Sequence, residues 1–590
     1  MPDSKVGRRK IKCSDVTSTR STQSSHRHHS SSSNKNSSSS SSSSSNDKQT
    51  IPKMKMFRLS RAVIPSVNRL LTAAPTRCRL NARAFFTSTL ADKRYAKSQP
   101  EHSNATNIIR SPIQDYDIPE SPFLPHYLME NWHKFPNKTA LINGETGVKT
   151  SYGELQTQTV KLGSAMRRLG FDKGDILTII SPNCPEFFLI YLAGTAIGMT
   201  VSPINPQYTQ ESKVVVFSPS LTDMVNACLR NCHTVKKTIV LGNAPGHQSL
   251  ADLLQDDGKT FPENISYNSK EDILTMPYSS GTSGPPKGVM LTSYSIVANM
   301  IQSSNSDILD VQHDGIYLCV LPLFHIFAQT VIMCTGLRYG VTMVTMSKFD
   351  PVAYLNHVQK YKATHLHIVT PIMLFLASHP MVDKFDLSSV QECFFGAAPT
   401  PSALIDQFQD KFREKISLCQ GFGMTELSPG SHTSPKGKRR PKTIGVVLPN
   451  TQFKKEPDKR KMIQNGSGDV AYYDEEGYTV ITDRLKELIK VKGFQVAPAE
   501  LEDLLLTHPA VKDVAVIGKP DDVAGELPRA YVVLRPEANA TEEDIANYVK
   551  EKAVPYKQLK GGVEFRKEIP KSSSGKILKR ILRDELQKNS

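Results

Sequence analysis

From about Ile113 onward, segments typical of β-strands alternate with segments typical of α-helices, and this alternation constrains the fold more than any other feature. "DILTIIS" (Asp175–Ser181) and "THLHIVT" (Thr364–Thr370) are short apolar runs, and each is followed by a further apolar stretch. Strands that alternate with helices form βαβ units, in which the strands run parallel and helices cover both faces of the sheet. We therefore expect a large α/β domain over residues 113–483, with ligands bound at the carboxyl ends of its strands.

After Arg484 the predicted strands and helices are short and lie close together in sequence. "PAELEDLLLTH" has a proline in the first turn of a predicted helix and three leucines on one face of it, Leu501, Leu504 and Leu505. "KDVAVIG" and "RAYVVL" predict short strands, and Thr541 with Asp544 forms a capping box that starts another helix. Residues 484–590 are thus expected to form a compact α+β domain of about a hundred residues.

The first hundred residues differ in composition from the rest. Residues 1–53 contain long serine runs and too few apolar side chains to offset the entropy of ordering, so they are predicted to be a disordered tail. Residues 54–91 lack acidic side chains and mix arginines with apolar and hydroxyl residues, which is typical of a mitochondrial presequence. We interpret residues 54–112 as a presequence and linker, which translation from Met54 or Met56 would place at the N-terminus. The alternative is a basic arm on a cytoplasmic protein. The C-terminus, "LQKNS", does not match the peroxisomal S-K-L signal.

Charge and cysteine content exclude several classes of function. The chain has 73 basic and 57 acidic residues; residues 1–100 hold 20 and 4 of these, so the remainder carries 53 of each. A neutral body argues against nucleic-acid binding. The nine cysteines form no C-x-x-C pair, so no zinc site is expected. Cys228 and Cys232 lie close to His233, but two cysteines four positions apart on a predicted helix are interpreted as packing residues. The longest apolar run, Phe187–Val201, is shorter than the ~20 residues of a membrane span and is predicted to be a core helix.

A loop rich in glycine and hydroxyl residues, "YSSGTSGPPKGV" (Tyr278–Val289), is suited to binding phosphate. It fails the P-loop pattern G-x-x-x-x-G-K-[ST], because Pro286 stands where the second glycine is required and Gly288 follows the lysine. Two consecutive prolines also prevent a helix from starting there. Hydroxyl groups, backbone N–H groups at the glycines and one ammonium remain, and these groups suit a mobile polyphosphate.

This loop resembles the signature of the adenylate-forming superfamily, which includes acyl-CoA synthetases, 4-coumarate–CoA ligases and luciferases. Six further segments resemble motifs of that family and follow in its order: "LPLFHIFA" (Leu321–Ala328), "GAAP" (Gly396–Pro399), "QGFGMTE" (Gln420–Glu426), "SGD" (Ser467–Asp469), "DRLKELIKVKGFQVAPAELE" (Asp483–Glu502) and "KSSSGKILKR" (Lys571–Arg580). The resemblance spans about Ile113 to Arg580. It implies a large N-terminal domain of mostly parallel sheets covered by helices, joined by a hinge at Lys486 to the small α+β C-terminal domain.

By this resemblance, several motifs would hold ATP. Thr425 would contact the α-phosphate, Glu426 would hold Mg²⁺, and Asp469 with Arg484 would bind the ribose. Lys576 would reach the α-phosphate and the substrate oxygens, because a compact ammonium can stabilise two anions that must approach each other. The residues implied at the β- and γ-phosphates are Ser279, Ser280, Gly281, Thr282, Ser283 and Lys287.

The resemblance also implies sites for the acid and for coenzyme A. The acid pocket would include His325, Phe327, Gly396 and Ala397, and the adenine side would include Ala397, Gln420 and Gly421. The positions implied at AMP or CoA phosphates are Lys348, Lys490, Lys492 and Gly493. Phe327 stands where plant coumarate ligases carry a tyrosine that can bind a phenol, so a medium- or long-chain fatty acid is expected, with an aryl acid as the alternative.

The implied reaction is ATP-dependent conversion of a carboxylic acid to acyl-AMP, followed by transfer to coenzyme A. The partners would then be the acid, ATP and CoA, and the protein would be a monomer or a homodimer. Retention of "KVKGFQV" favours CoA as the acceptor over a pure adenylate or light-emitting role.

Two segments are shorter than the family pattern. Residues 451–466 replace a longer segment with several strands, and a smaller gap falls at Gln207–Phe217, where a helix usually separates two halves. Lost strands would leave backbone donors unpaired and core surface exposed, at a cost of several kcal/mol. Among the site residues, Asp469 would be the one most at risk of displacement, because it directly follows the shortened segment. A catalytically impaired homologue that acts as a binding or scaffold protein is therefore the alternative hypothesis.

Overall fold

The computed structural model describes residues 108–204, 212–230, 232–279, 287–309, 311–398, 400–412, 415–440, 442–454, 469–484, 486–572 and 575–589. All of them belong to one unit, Arg79–Ser590. The predicted disordered tail, residues 54–107 of the predicted presequence and residues 455–466 of the shortened segment lie outside the described residues.

Helices and strands alternate along the described chain, as the sequence predicts. The α-helices are α1 Leu124–Met129, α2 Tyr152–Arg168, α3 Pro185–Ala196, α4 Thr222–Leu229, α5 Leu250–Leu253, α6 Ser293–Ser303, α7 Thr335–Tyr339, α8 Pro351–Tyr361, α9 Thr370–Ser378, α10 Ser402–Lys411, α11 Pro498–Leu506, α12 Glu542–Lys552 and α13 Lys579–Asn589.

The strands up to the end of the N-terminal domain are β1 Ile108–Arg110, β2 Thr139–Asn143, β3 Lys149–Ser151, β4 Ile176–Ile180, β5 Thr200–Pro203, β6 Val214–Phe217, β7 Lys237–Val240, β8 Gln248–Ser249, β9 Ile273–Thr275, β10 Tyr278–Ser279, β11 Lys287–Gly288, β12 Leu291–Thr292, β13 Ile316–Cys319, β14 Thr342–Thr345, β15 His365–Val369, β16 Glu392–Gly396, β17 Ser417–Gly423, β18 Gly430–Thr433, β19 Val446–Val447, β20 Gln452–Lys454, β21 Asp469–Tyr473 and β22 Thr479–Arg484. The C-terminal domain adds β23 Ile489–Val491, β24 Phe494–Val496, β25 Val511–Asp521, β26 Gly525–Leu534 and β27 Val563–Phe565.

The central sheet of the N-terminal domain has nine strands in the order β19-β18-β17-β16-β15-β13-β14-β2-β3. The strands from β17 to β2 pair in parallel, and β3, β18 and β19 pair antiparallel at the two edges. All five residues of β15, the strand predicted from "THLHIVT", are buried, as expected for an inner strand of a parallel sheet.

A second sheet has seven strands in the order β12-β9-β5-β4-β6-β7-β8, all parallel except β12. Helix α3 is buried at every position from Phe187 to Ala196. The helix predicted over Phe187–Val201 is therefore present but shorter than predicted. It ends at Ala196 because Gly198 turns the chain at a φ of 83°, and Val201 belongs to β5.

The C-terminal domain is α+β, as predicted, and its sheet runs β24-β23-β26-β25 with β27 beside β26. Alternate residues of β25 face opposite sides: Val514 and Val516 pack in the cluster with α11 and α12, whereas Ala515 and Ile517 pack in the cluster with Leu582 of α13. The two strands predicted here are longer than expected because they pair with each other from end to end. The predicted capping box is present at the start of α12.

Two small antiparallel sheets, β1-β20 and β21-β22, complete the fold, and β22 leads into the C-terminal domain. At the second shortened segment, residues 205–211 lie outside the described residues, and β5 and β6 flank β4 on opposite sides. The interpretation of Cys228 as a packing residue is wrong, since it is exposed near the end of α4, and Cys232, after the helix, is half-buried. None of the described helices is long and apolar enough to span a bilayer.

Candidate active site

The carboxyl ends of β16 and β17 open onto a cavity of about 390 Å³. This is the edge of a parallel sheet at which ligands are expected. The cavity brings together residues from positions nearly three hundred apart in sequence, including two lysines of the C-terminal domain. The sequence-predicted residues that line it are Ser279, Lys287, His325, Phe327, Ala397, Gly421, Thr425, Glu426, Asp469, Arg484, Lys486 and Lys576.

Lys576 enters this cavity from a tight turn that precedes α13. The Ser572 N–H donates to the Lys576 carbonyl, the Lys576 N–H donates to the Ser572 hydroxyl, and a bridge joins Lys571 to Ile577. Gly575, at a φ of 78°, lies so close to Pro371 of α9 that an added Cβ would be 2.8 Å from the proline ring. The turn of one domain is thus seated against a helix of the other.

The surroundings of Lys576 lower its pKa to about 8. Burial makes the largest contribution and the Arg484 guanidinium adds to it, while carboxylates, including Asp469 and Glu426, act in the opposite direction. The side chain is therefore partly desolvated and lies among charges of both signs. Such an ammonium can interact with an anionic ligand more strongly than a fully hydrated one.

Asp469 and Arg484 are held opposite each other at the ends of β21 and β22, which pair in register there. The Arg484 Nε lies 3.3 Å from an Asp469 carboxylate oxygen, and Asp469 is buried. Asp469 therefore lies in the cavity in this structure although the preceding segment is short.

Thr425 and Glu426 form a turn directly after β17, and both face the cavity. Gly423, just before the turn, has no space for a side chain because the Pro429 carbonyl lies where a Cβ would be. No group of three or more candidate metal ligands occurs among the described residues. Mg²⁺ typically uses only one or two carboxylates and takes its other ligands from phosphates and water, so Glu426 fits such a role.

An apolar wall formed by Phe327, Val331 and Phe394 occupies another part of the cavity. The Phe327 and Phe394 ring centroids are 5.5 Å apart. His325 precedes this wall and its Nδ1 accepts a hydrogen bond from the Phe327 N–H at 3.3 Å. Burial, with a contribution from Lys576, lowers the pKa of His325 to about 4, so the imidazole is neutral at pH 7.

The remaining predicted residues do not line the cavity. Gly396 lies at the end of β16 against the Gly421 carbonyl, and the Gln420 carbonyl accepts the Ser434 N–H in β17. The positions predicted to meet AMP or CoA phosphates are exposed: Lys348, Lys490, Lys492 and Gly493. The loop residues Ser280, Gly281, Thr282 and Ser283 lie outside the described residues, but the two ends of that loop pair, with Ser279 opposite Lys287.

Sequence reasoning missed several lining residues, chiefly Asn299 of α6. Its amide accepts the Gly430 N–H at 3.0 Å and donates to the Gly430 carbonyl at 2.8 Å, which fixes the start of β18 at the cavity. No sequence motif predicts this pairing, because 131 positions separate the two residues. The other lining residues that were not predicted are Ser303, Ile326, Val331, Phe394, Phe422, Gly423, Met424, Pro429, Gly430, His432, Thr433 and Leu448.

Comparison with known proteins identifies the family. Residues 128–471 match the AMP-binding enzyme family, and residues 500–576 match the AMP-binding enzyme C-terminal domain. Among curated relatives, 4-coumarate–CoA ligase 2 of Petroselinum crispum is 35% identical over 532 residues, covering 81% of this chain and 97% of the relative. Probable 4-coumarate–CoA ligase 1 of Dictyostelium discoideum is 31% identical over 528 residues, covering 79% and 96%.

Solved structures agree in fold. The anthranilate CoA ligase AuaEII, in complex with anthranoyl-AMP, is similar with a TM-score of 0.73 at 21% identity, covering 80% of this chain and 99% of that one. A Mycobacterium tuberculosis fatty acyl CoA synthetase is similar with a TM-score of 0.59 at 26% identity, covering 78% and 98%. This chain belongs to the AMP-binding enzyme family of the adenylate-forming superfamily.

Proposed function

We propose that this protein is an acid–CoA ligase that converts a carboxylic acid and ATP to acyl-AMP and pyrophosphate, and then transfers the acyl group to coenzyme A with release of AMP. The single observation that carries the proposal is the convergence of Lys576, Glu426, Thr425 and Asp469 on one cavity that also has an apolar wall. Relatives across most of the chain are 4-coumarate–CoA ligases, which supports the same reaction class.

In the first step, a carboxylate oxygen attacks the α-phosphorus and the bond to the β-phosphate oxygen breaks, so that pyrophosphate leaves with the electron pair. Two anions must meet, and a cation between them offsets their repulsion. Among the cationic side chains that line the cavity, Lys576 is proposed to take this position, and Thr425 would supply a hydroxyl for the α-phosphate. Neutral His325 adds no charge of its own, and its Nδ1 accepts the N–H of Phe327, a residue of the apolar wall.

The ribose and the outer phosphates have separate candidate partners. The Asp469 carboxylate can accept hydrogen bonds from both ribose hydroxyls, with Arg484 holding it in place. Lys287, at the rim, would assist the departing pyrophosphate together with Ser279. A bound Mg²⁺ held by Glu426 would neutralise phosphate charge.

In the second step, the CoA sulfur attacks the acyl carbonyl carbon and the bond to the AMP oxygen breaks, so AMP leaves and the thiol proton passes to solvent. Exposed cations on the surface, Lys348, Lys490 and Lys492, are available for the CoA phosphates. Gly493, at a φ of 84° in the turn between β23 and β24, keeps that turn free of a side chain.

For the acid itself, a medium- or long-chain fatty acid is proposed. Three apolar side chains, Phe327, Val331 and Phe394, line the wall, and Phe327 offers no hydroxyl to a phenol. The alternative is an aryl acid, which the anthranilate ligase and the coumarate ligases named above accept by their names.

The experiment is ATP–pyrophosphate exchange with purified full-length protein over a panel of fatty and aryl acids. Exchange that depends on an added acid and is lost in Lys576→Ala and reduced in Lys287→Ala is the expected result. Absence of exchange with every acid, from folded protein, would favour the second candidate function, a binding or scaffold role. The observation behind that candidate is the shortened segment before Asp469.

Mitochondrial localisation is also proposed, on the acid-free, arginine-rich composition of residues 54–91. A fluorescent fusion of residues 54–96 should reach mitochondria, and a matched fusion with Arg58, Arg61 and Arg69 changed to Glu should not. A diffuse cytosolic signal from the unchanged fusion would support the cytoplasmic alternative.

A further inference from the structure

Helix α11 of the C-terminal domain begins without a cap of its own. Its N-cap residue is Ala497, which has no side-chain acceptor for the unpaired N–H groups of the first turn. The Asp483 Oδ2 fills this role instead, accepting the Ala499 N–H at 3.0 Å. Asp483 lies on β22, which pairs with β21 and not with the C-terminal sheet. A carboxylate on a strand of the N-terminal domain therefore caps a helix of the C-terminal domain.

The same carboxylate takes part in a buried charge cluster that includes Lys579. Asp483 is 7% exposed and Lys579 is equally buried. The Lys579 Nζ lies 2.9 Å from Glu502 of α11 and 3.5 Å from Glu487. Burial raises the pKa of the Asp483 carboxyl, and the nearby Lys579 ammonium opposes that shift. Lys579 is the first residue of α13, three positions after Lys576.

Two consecutive residues of β22 thus contact different parts of the structure. The Arg484 side chain pairs with Asp469 in the cavity, while the Asp483 side chain reaches the start of α11 and lies near Lys579. The chain continues from here into the C-terminal domain, where Glu487 meets Lys579. The position of Lys576 is linked to β22 through this cluster.

We propose that Asp483 is a positioning residue, which fixes the C-terminal domain so that Lys576 lies in the cavity. It acts through the cap on α11 and through Lys579, and it does not itself contact ATP or the acid. The effect on acyl-AMP formation rests on the proposed function, whereas the effect on the position of Lys576 does not.

The test compares Asp483→Asn, which keeps the shape and removes the charge, with Glu500→Gln as a matched control. Glu500 is also on α11, but it forms an exposed pair with Lys557. Two readouts are used in the full-length protein: hydrogen exchange at the first turn of α11, and the rate of Lys576 acetylation as a function of pH, followed by mass spectrometry. The Asp483 carboxylate accepts the N–H groups of both Arg484 and Ala499, and the amide in Asp483→Asn can accept only one of them, so hydrogen exchange at this turn should rise by up to about fivefold. The pH midpoint of Lys576 acetylation should move from about 8 toward the ordinary lysine pKa of 10.5, because a lysine outside the cavity is hydrated again. Glu500→Gln should match the wild type.

A double variant, Asp483→Asn with Ala497→Ser, separates positioning from helix stability. Ala497 has the extended backbone of an N-cap residue, so a serine there can cap α11 locally. Positioning predicts that protection of α11 returns while the pH midpoint of Lys576 acetylation stays shifted toward 10.5. If that midpoint also returns to the wild-type value, or never changes in Asp483→Asn, the proposal is wrong.

The ATP–pyrophosphate exchange rate completes the test. Asp483→Asn should lower it about tenfold or more, since small displacements of a catalytic group have effects of this size. A shifted acetylation midpoint of Lys576 in Asp483→Asn, together with no ATP–pyrophosphate exchange in the wild type, would support the positioning role and contradict the proposed function. A wild-type rate of ATP–pyrophosphate exchange in Asp483→Asn would contradict the positioning role but not the proposed function.

Discussion

The reduced pKa of Lys576 predicts how acyl-AMP formation depends on pH. Burial and Arg484 lower this pKa to about 8. The ammonium form is the one that can offset the repulsion between the carboxylate and the α-phosphate, so activity should fall as pH rises through that value. From a pKa of about 8, roughly 90% of the side chain is charged at pH 7 and roughly 10% at pH 9, and the expected decrease is about ninefold.

The quantity to measure is kcat/KM for ATP in the exchange reaction from pH 6.5 to 9.5, because this ratio reports the pKa values of the free enzyme. His325 adds no transition in this range, since its pKa is about 4. Lys576→Arg is the matched variant. Its guanidinium stays charged to about pH 12 or higher, so the residual activity should lose the alkaline decrease.

Two results would refute the reasoning. One is activity in the wild type that does not decrease up to pH 9.5, as an ordinary lysine pKa of 10.5 would give. The other is a decrease near pH 8 that persists unchanged in Lys576→Arg, because another group would then be titrating.

Three further changes test the packing around the site. Gly575→Ala brings a methyl group to 2.8 Å from the Pro371 ring, at a residue whose φ is positive. We expect the rate of ATP–pyrophosphate exchange to fall about tenfold while the circular dichroism spectrum stays native. An unchanged rate would contradict the contact. Asn299→Ala leaves the half-buried Gly430 N–H and carbonyl without this partner. We expect the free energy of unfolding in urea to fall by ~1–2 kcal/mol and the KM for the acid to rise, whereas an unchanged unfolding midpoint would argue against this role. Trp132→Phe removes a fully buried indole that donates to a main-chain carbonyl; we expect a loss of ~1–3 kcal/mol, read by circular dichroism because this is the chain's only tryptophan.

Local patterns predicted much of the fold. The strand "THLHIVT", the capping box at Thr541 and the buried face of α11 appear as expected, because each depends on residues only two to four positions apart. The boundaries were less accurate. The helix predicted to reach Val201 ends five residues earlier, at Ala196, since a glycine turn starts the next strand within one continuous apolar run.

The active-site residues, too, were predicted only in part. The motifs identified the types of residue that an adenylating enzyme needs, and twelve of those residues line the cavity. They did not identify Asn299, whose partner is far away in sequence, nor did they show that Lys490 and Lys492 lie outside the cavity. Such contacts and positions depend on how helices and strands pack together, and the periodicity of the sequence does not predict them.

The sequence by itself therefore determined the alternation of elements, the family and the chemical groups available, because these follow from short-range spacing and residue type. Only the tertiary structure decided that Lys576 lies among Glu426, Asp469 and Arg484, and that Asp483 caps a helix of the other domain. The physical reason is that burial and proximity of charge arise from contacts between distant segments. Those contacts exist only after the two domains have packed together.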